Sequence, residues 1–188
     1  MSGSDFHPIT PTLVGRLIRS LKKGCSPGPD GILAEHLQNA HSNELCYLIS
    51  DLLNMCISFH VVPDSFTAGL LVPILKKPHL DASVAKNYRP ITISSTLAKL
   101  LEKYILQQCS NHQFSDLQFG FVEGLGTDIA ATLAHDVISH CNFKGSAVYV
   151  CSLDAEGAFD CIPHPILFRQ CHGIIPSALW LLLVHWYK

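Results

Sequence analysis

No stretch of this sequence stays apolar for the roughly 20 residues that a membrane-crossing helix requires. The longest strongly apolar run, Ala178 to Val184, falls far short of that. A positively charged leader followed by an apolar segment is also missing, because Met1 to Phe6 is small and polar. These two absences predict a soluble, intracellular chain with no membrane partner. Cysteine is plentiful, but no C-x-x-C pair occurs among the eight, even though Cys141, Cys151, Cys161 and Cys171 are evenly spaced. Zinc sites place two ligands a few residues apart so that one turn holds both, and buried reduced thiols are the better reading of this pattern. Charge is scarce as well: 15% of residues are charged and the net charge is −2, so the chain lacks the basic excess that phosphate binding normally leaves. Internal repeats, low-complexity tracts and domain-splitting linkers are absent too.

What is present is a globular composition, 48% hydrophobic over 188 residues, enough for one ordinary domain with a core. The charges are unevenly distributed. The basic residues gather before Lys103, with Arg16, Arg19, Lys22 and Lys23 flanking one predicted helix and Lys76, Lys77, Lys86 and Arg89 near a predicted turn. Leu13, Leu17, Ile18 and Leu21 predict a short amphipathic helix within Thr10 to Lys23. The Ser26-Pro27-Gly28-Pro29-Asp30-Gly31 segment then breaks regular structure, with two prolines that lack backbone donors and two glycines that accept positive φ. Leu45, Leu48, Ile49, Leu52, Leu53, Cys56 and Ile57 predict a helix over Asn43 to Phe59. Branched residues predict a strand from Ala68 to Leu75, paired with Arg89 to Ile93. Further helices are expected from Ser95, from an N-cap at Thr127 to about Cys141, after Pro163 and Pro165, and from about Pro176. Ser146 to Leu153 reads as a strand ending at Asp154.

Asp154 heads the most informative segment, Ser152-Leu153-Asp154-Ala155-Glu156-Gly157-Ala158-Phe159-Asp160. A carboxylate at the end of a core strand is rigidly held and partly desolvated, which suits a divalent cation used in phosphoryl transfer. Taken alone, such an aspartate is more often a turn cap. Its context includes Ser26 to Ile32, Leu71-Val72-Pro73-Ile74-Leu75-Lys76-Lys77, Asn87-Tyr88-Arg89-Pro90-Ile91, Lys99-Leu100-Leu101-Glu102-Lys103 and Gln118-Phe119-Gly120-Phe121. In this order and spacing, these segments resemble the reverse transcriptases of non-LTR (LINE-type) retrotransposons over nearly the whole chain.

The resemblance implies an α/β (α+β) fold, part of a right-hand polymerase with helices packed on a small sheet. Residues 1–93 would form a fingers-like region and residues 94–188 the start of the palm. It further implies that Asp154 and the Ala155 carbonyl ligate Mg²⁺, that Phe159 is the bulky gate excluding a ribose 2′-hydroxyl, and that Arg89 with Lys76 or Lys77 grips the incoming triphosphate. An RNA template, a DNA primer and dNTPs are the implied partners. Two features depart from the family: Val122 follows Phe121 where an arginine is usual, and the paired-aspartate segment has no counterpart by Lys188. The chain is therefore expected to be inactive alone, with a non-catalytic RNA-binding or protein-interaction remnant as the competing reading. The helix carrying Leu179, Trp180, Leu181, Leu182, Leu183, Val184 and Trp186 is apolar around most of its circumference, which predicts an exposed face and self-association.

Overall fold

A computed structural model describes residues 7–109, 115–122, 124–155, 157–158 and 161–187. It divides into two compact units, one formed by residues 1–110 with 163–188 and the other by residues 111–162. The first is an α+β unit. It contains α1 (Pro11–Arg19), α2 (Ala34–Asn39), α3 (Asn43–Phe59), α4 (Asp64–Thr67), β1 (Gly69–Leu75), β2 (Tyr88–Ser94), α5 (Thr96–Gln108), α7 (His164–Cys171) and α8 (Ser177–Trp186). The second contains α6 (Thr127–Phe143).

All of the buried core residues belong to the first unit. Helix α1 starts where Thr10 accepts a hydrogen bond from the Leu13 N–H and Pro11 occupies a position whose missing N–H costs nothing. It turns Val14, Leu17 and Ile18 inwards against α3 and α5. Helix α3 has the predicted span and most of the predicted face: Ile49, Leu53, Cys56 and Ile57 are buried and Leu45 and Leu52 pack against the core, but Leu48 is 69% exposed while Cys46 and Ser50 are buried. Polar groups explain the burial on the Ser50 side. The Ser50 hydroxyl donates to the Ile9 carbonyl at 2.6 Å, and the Asn54 amide accepts from the Ile9 N–H and donates to its carbonyl, each at 2.9 Å. The buried backbone of Ile9 is thereby satisfied by α3, and periodicity of apolar residues carries no record of that requirement.

The two-stranded sheet forms as predicted. β1 and β2 are antiparallel, with Ile74 opposite Arg89, Leu75 opposite Tyr88 and Pro73 opposite Pro90. The Lys76 N–H donates to the Asn87 carbonyl at 2.8 Å, so by the alternation of an antiparallel ladder the proline pair falls at a position that exchanges no ladder bonds. Two residues without the same donor therefore sit opposite each other at no cost to the pairing.

Three expectations are corrected. Residues 146–155 are not a strand: no described segment pairs with them, and Tyr149 and Leu153 are each 94% exposed. Branched residues favour a pleated, half-buried surface, and without a neighbouring strand that preference has nothing to act on. Gly126, not Thr127, caps α6, and Thr127 is its first helical residue. Helix α8 is not an unpartnered apolar surface. Leu179 and Leu182 are fully buried, Leu183 and Trp186 pack on the core, α8 lies against α3, and the Trp180 indole N–H donates to the Phe168 carbonyl at 2.7 Å. Buried reduced thiols are found at Cys46 and Cys56, whereas Cys25, Cys151 and Cys161 are exposed. Among the described residues, no helix is long and apolar enough to cross a membrane.

Candidate nucleotide and polynucleotide site

The β1–β2 hairpin brings the predicted cations together. Arg89 lies on β2 directly across from Ile74, and Lys76 follows β1 two residues after Ile74. Side chains alternate along a strand, so Lys76 continues on the face that carries Arg89, diagonally across the ladder. Lys77 occupies the next position in the bend, and all three cations are exposed.

The loop between the strands is held by its own polar groups. Asp81 accepts from the Ser83 N–H at 2.8 Å and the Ser83 hydroxyl at 2.7 Å. The backbone bond first, and then the hydroxyl, hold the Asp81 carboxyl below its usual range. The Asn87 side chain donates to the Asp81 carbonyl at 2.8 Å, and the Tyr88 hydroxyl donates to the Ala82 carbonyl at 3.0 Å. The nearby acid is thus committed to the loop. Among the described residues, Arg89, Lys76 and Lys77 form no ion pair with a carboxylate. Three unneutralised cations at one end of a rigid hairpin can take up phosphate, the guanidinium as a planar fork and the ammoniums as point charges.

The Ser26 to Gly31 segment positions this hairpin. The Gly31 N–H donates to the Gly28 carbonyl at 3.0 Å, closing a turn with Pro29 at its second position and Gly31 at a φ of 68°. A Cβ on Gly28 would stand 2.7 Å from the Ser94 carbonyl oxygen and 2.9 Å from the Ser95 nitrogen, so only glycine lets the turn lie against the junction of β2 and α5. Asp30 ties the two together: its carboxylate accepts from the Ile32 N–H at 3.0 Å and from the Ser95 hydroxyl at 2.6 Å. Ser95 also caps α5, accepting from the Leu97 N–H, and the Thr96 hydroxyl donates to the Ile32 carbonyl. Reading the segment as a chain break missed Asp30, Ser95 and Thr96. A short acidic side chain inside a Pro/Gly turn was the available signal.

Asp154 and Ala155 belong to the second unit and sit in the exposed irregular segment, before a turn in which Gly157 has a φ of 62°. Phe159 lies outside the described residues. Among the described residues, no group of three or more His, Cys, Asp or Glu side chains is placed to hold a metal ion. One carboxylate cannot by itself neutralise and space a pair of divalent ions, so the described donors supply only part of the implied metal site.

Helix α5 also carries Glu102, between an apolar cavity of about 710 Å³ lined by Phe66, Ile105, Leu183 and Trp186 and a smaller basic pocket. Glu102 is exposed as a whole residue, but partial desolvation of its carboxyl raises the pKa, and Lys99 opposes the shift. A carboxyl with a raised folded pKa contributes fully to stability below its ordinary value, and that contribution is lost as pH rises through the folded value. Glu102→Gln should therefore gain stability relative to the parent as pH rises above the ordinary glutamate range. Urea midpoints of the two proteins that stayed parallel through that rise would contradict the desolvation of Glu102.

The profile of the reverse transcriptase (RNA-dependent DNA polymerase) family matches residues 74–187. The chain is 26% identical over 187 residues to the RNA-directed DNA polymerase from mobile element jockey of Drosophila funebris, covering 94% of this chain and 20% of that protein. It is 29% identical over 162 residues to the retrovirus-related Pol polyprotein from type-1 retrotransposable element R1 of Bradysia coprophila, covering 82% and 16%. A probable RNA-directed DNA polymerase from transposon BS of Drosophila melanogaster is 25% identical over 191 residues, covering 94% and 20%. The chain thus spans about a fifth or less of the length of these relatives. The similarity to the jockey and BS proteins, at 94% of this chain, reaches the Ser26 to Gly31 segment, which the family profile does not.

Proposed function

Because the chain belongs to the reverse transcriptase family, on its non-LTR retrotransposon side, we propose that it supplies the fingers hairpin and the first palm segment of an RNA-directed DNA polymerase. In this reading residues 1–93 act as fingers and residues 94–188 begin the palm. Arg89, with Lys76 and Lys77, grips the triphosphate of a dNTP, while an RNA template and a DNA primer are the polymeric partners. Asp154 with the Ala155 carbonyl is assigned to the Mg²⁺ position and Phe159 to the sugar gate. The observation that carries the reading is the register of β1 on β2, which gathers Arg89 and Lys76 with no carboxylate among the described residues paired to them.

Nucleotide binding by the isolated chain tests the assignment without requiring turnover. A fluorescent dATP analogue titrated in EDTA-containing buffer should bind about 10- to 100-fold more weakly to Arg89→Ala than to the parent. That range corresponds to one charge-assisted hydrogen-bonding group, worth about 1.5–3 kcal/mol. Equal affinities would remove Arg89 from the triphosphate grip.

A further inference from the structure

A second group of cations lies away from the hairpin. Lys22, just past α1, and Lys99 and Lys103, on α5, line a pocket of about 310 Å³ together with Leu21, Ser26 and Glu102. Lys99 and Lys103 are one helical turn apart, a spacing that puts like charges side by side and costs helix stability. Lys103 is fixed there, its ammonium donating to both the carbonyl and the hydroxyl of Ser20 at 3.1 Å. No carboxylate pairs with any of the three within ion-pair distance among the described residues. Glu102, on the same helix, lines both this pocket and the apolar cavity, and Lys99 acts on its charge. A chain with net charge −2 thus gathers three lysines around a pocket whose one lining acid is Glu102, an excess of positive charge that a bound anion would relieve.

We propose that Lys22, Lys99 and Lys103 hold neighbouring phosphates of a single-stranded RNA at this pocket. The inference rests on the reading of the chain as part of an RNA-directed polymerase and adds a second anchor for the polynucleotide, apart from the triphosphate grip of Arg89. Ammoniums act as point charges and read no sequence, so the site fixes the path of the strand rather than its bases.

Anisotropy of a labelled single-stranded RNA, measured with the whole chain over a series of KCl concentrations, tests the proposal. For Lys22→Ala/Lys99→Ala, the slope of log K against log salt should fall in magnitude by about 1.4, two phosphate contacts at about 0.7 each for a single strand. Neither side chain makes a hydrogen bond among the described residues, and circular dichroism checks that the fold persists. Glu102→Gln should bind the same RNA several-fold more tightly, a gain that loss of structure cannot produce. A Lys76→Ala/Arg89→Ala variant reports on the hairpin separately. If that variant keeps full dATP-analogue affinity while the pocket variant loses RNA, the triphosphate grip fails and the pocket stands. An unchanged salt slope in the pocket variant overturns the pocket, whatever the hairpin does. Saturable binding of inorganic phosphate by the parent, with no RNA binding, would also overturn it.

Discussion

Ending the chain at Gly173 should abolish the cooperative unfolding transition of the first unit, because the cut removes part of its core. Leu179 and Leu182 are fully buried, and Trp186 packs near Phe66 with ring centroids 6.4 Å apart. Each large apolar side chain contributes about 1.5–3 kcal/mol on burial, so two leucines alone approach the 5–15 kcal/mol that stabilises a typical domain. The sequence pointed the other way: a helix apolar on nearly all sides predicts an exposed liability, and its removal a gain in solubility. Urea unfolding followed by circular dichroism distinguishes the two. A truncated chain with a sharp transition at the parental midpoint would show that α8 is dispensable.

The second large effect is expected at Gly28. Its missing Cβ is what allows the Pro/Gly turn to rest on the backbone of Ser94 and Ser95, and an added methyl would meet backbone atoms that cannot rotate away. Gly28→Ala should cost about 3 kcal/mol, at the upper end of ordinary overpacking, and should separate Asp30 from the Ser95 hydroxyl. Asp30→Ala removes that hydrogen bond without the clash, and losing a charge-assisted bond costs about 1.5–3 kcal/mol. Because the same turn supports the foot of β2, both variants should also weaken binding of the dATP analogue, although neither residue belongs to the cationic group. Stability loss in Gly28→Ala no greater than about 0.5 kcal/mol would mean that the turn is not seated as described.

What could be read from the sequence was what depends on near neighbours. The Asn43–Phe59 helix, the pairing of the branched strand with the segment containing Arg89, and the start of α5 near Ser95 are all encoded over short stretches, and each has its expected place. Motif order likewise identified the family. Distance along the chain is where the reading failed. The Asp30–Ser95 bond spans 65 positions and the Ile9–Asn54 fork spans 45, and no periodicity records either. Helix α2 is only six residues long, too short for a repeating apolar face to emerge. The branched run at 146–153 has strand composition, yet pairing is a property of two segments and only one was visible. Of the assigned site, Arg89 and the lysines share a hairpin, while Asp154 stands in an irregular stretch whose composition alone suggested a sheet.

The facing prolines of the hairpin carry a consequence for association. At a pair that exchanges no ladder bonds, backbone N–H groups point outward, towards any strand that might add to the open side. Pro73 and Pro90 remove one such donor from each side of the ribbon. A two-stranded ribbon with Leu70, Leu71, Ile74 and Ile91 exposed would otherwise offer two apolar, hydrogen-bonding borders to other chains. Proline at the middle of both strands interrupts those borders where an invading strand would need continuity, so the hairpin can display its cations without recruiting copies of itself.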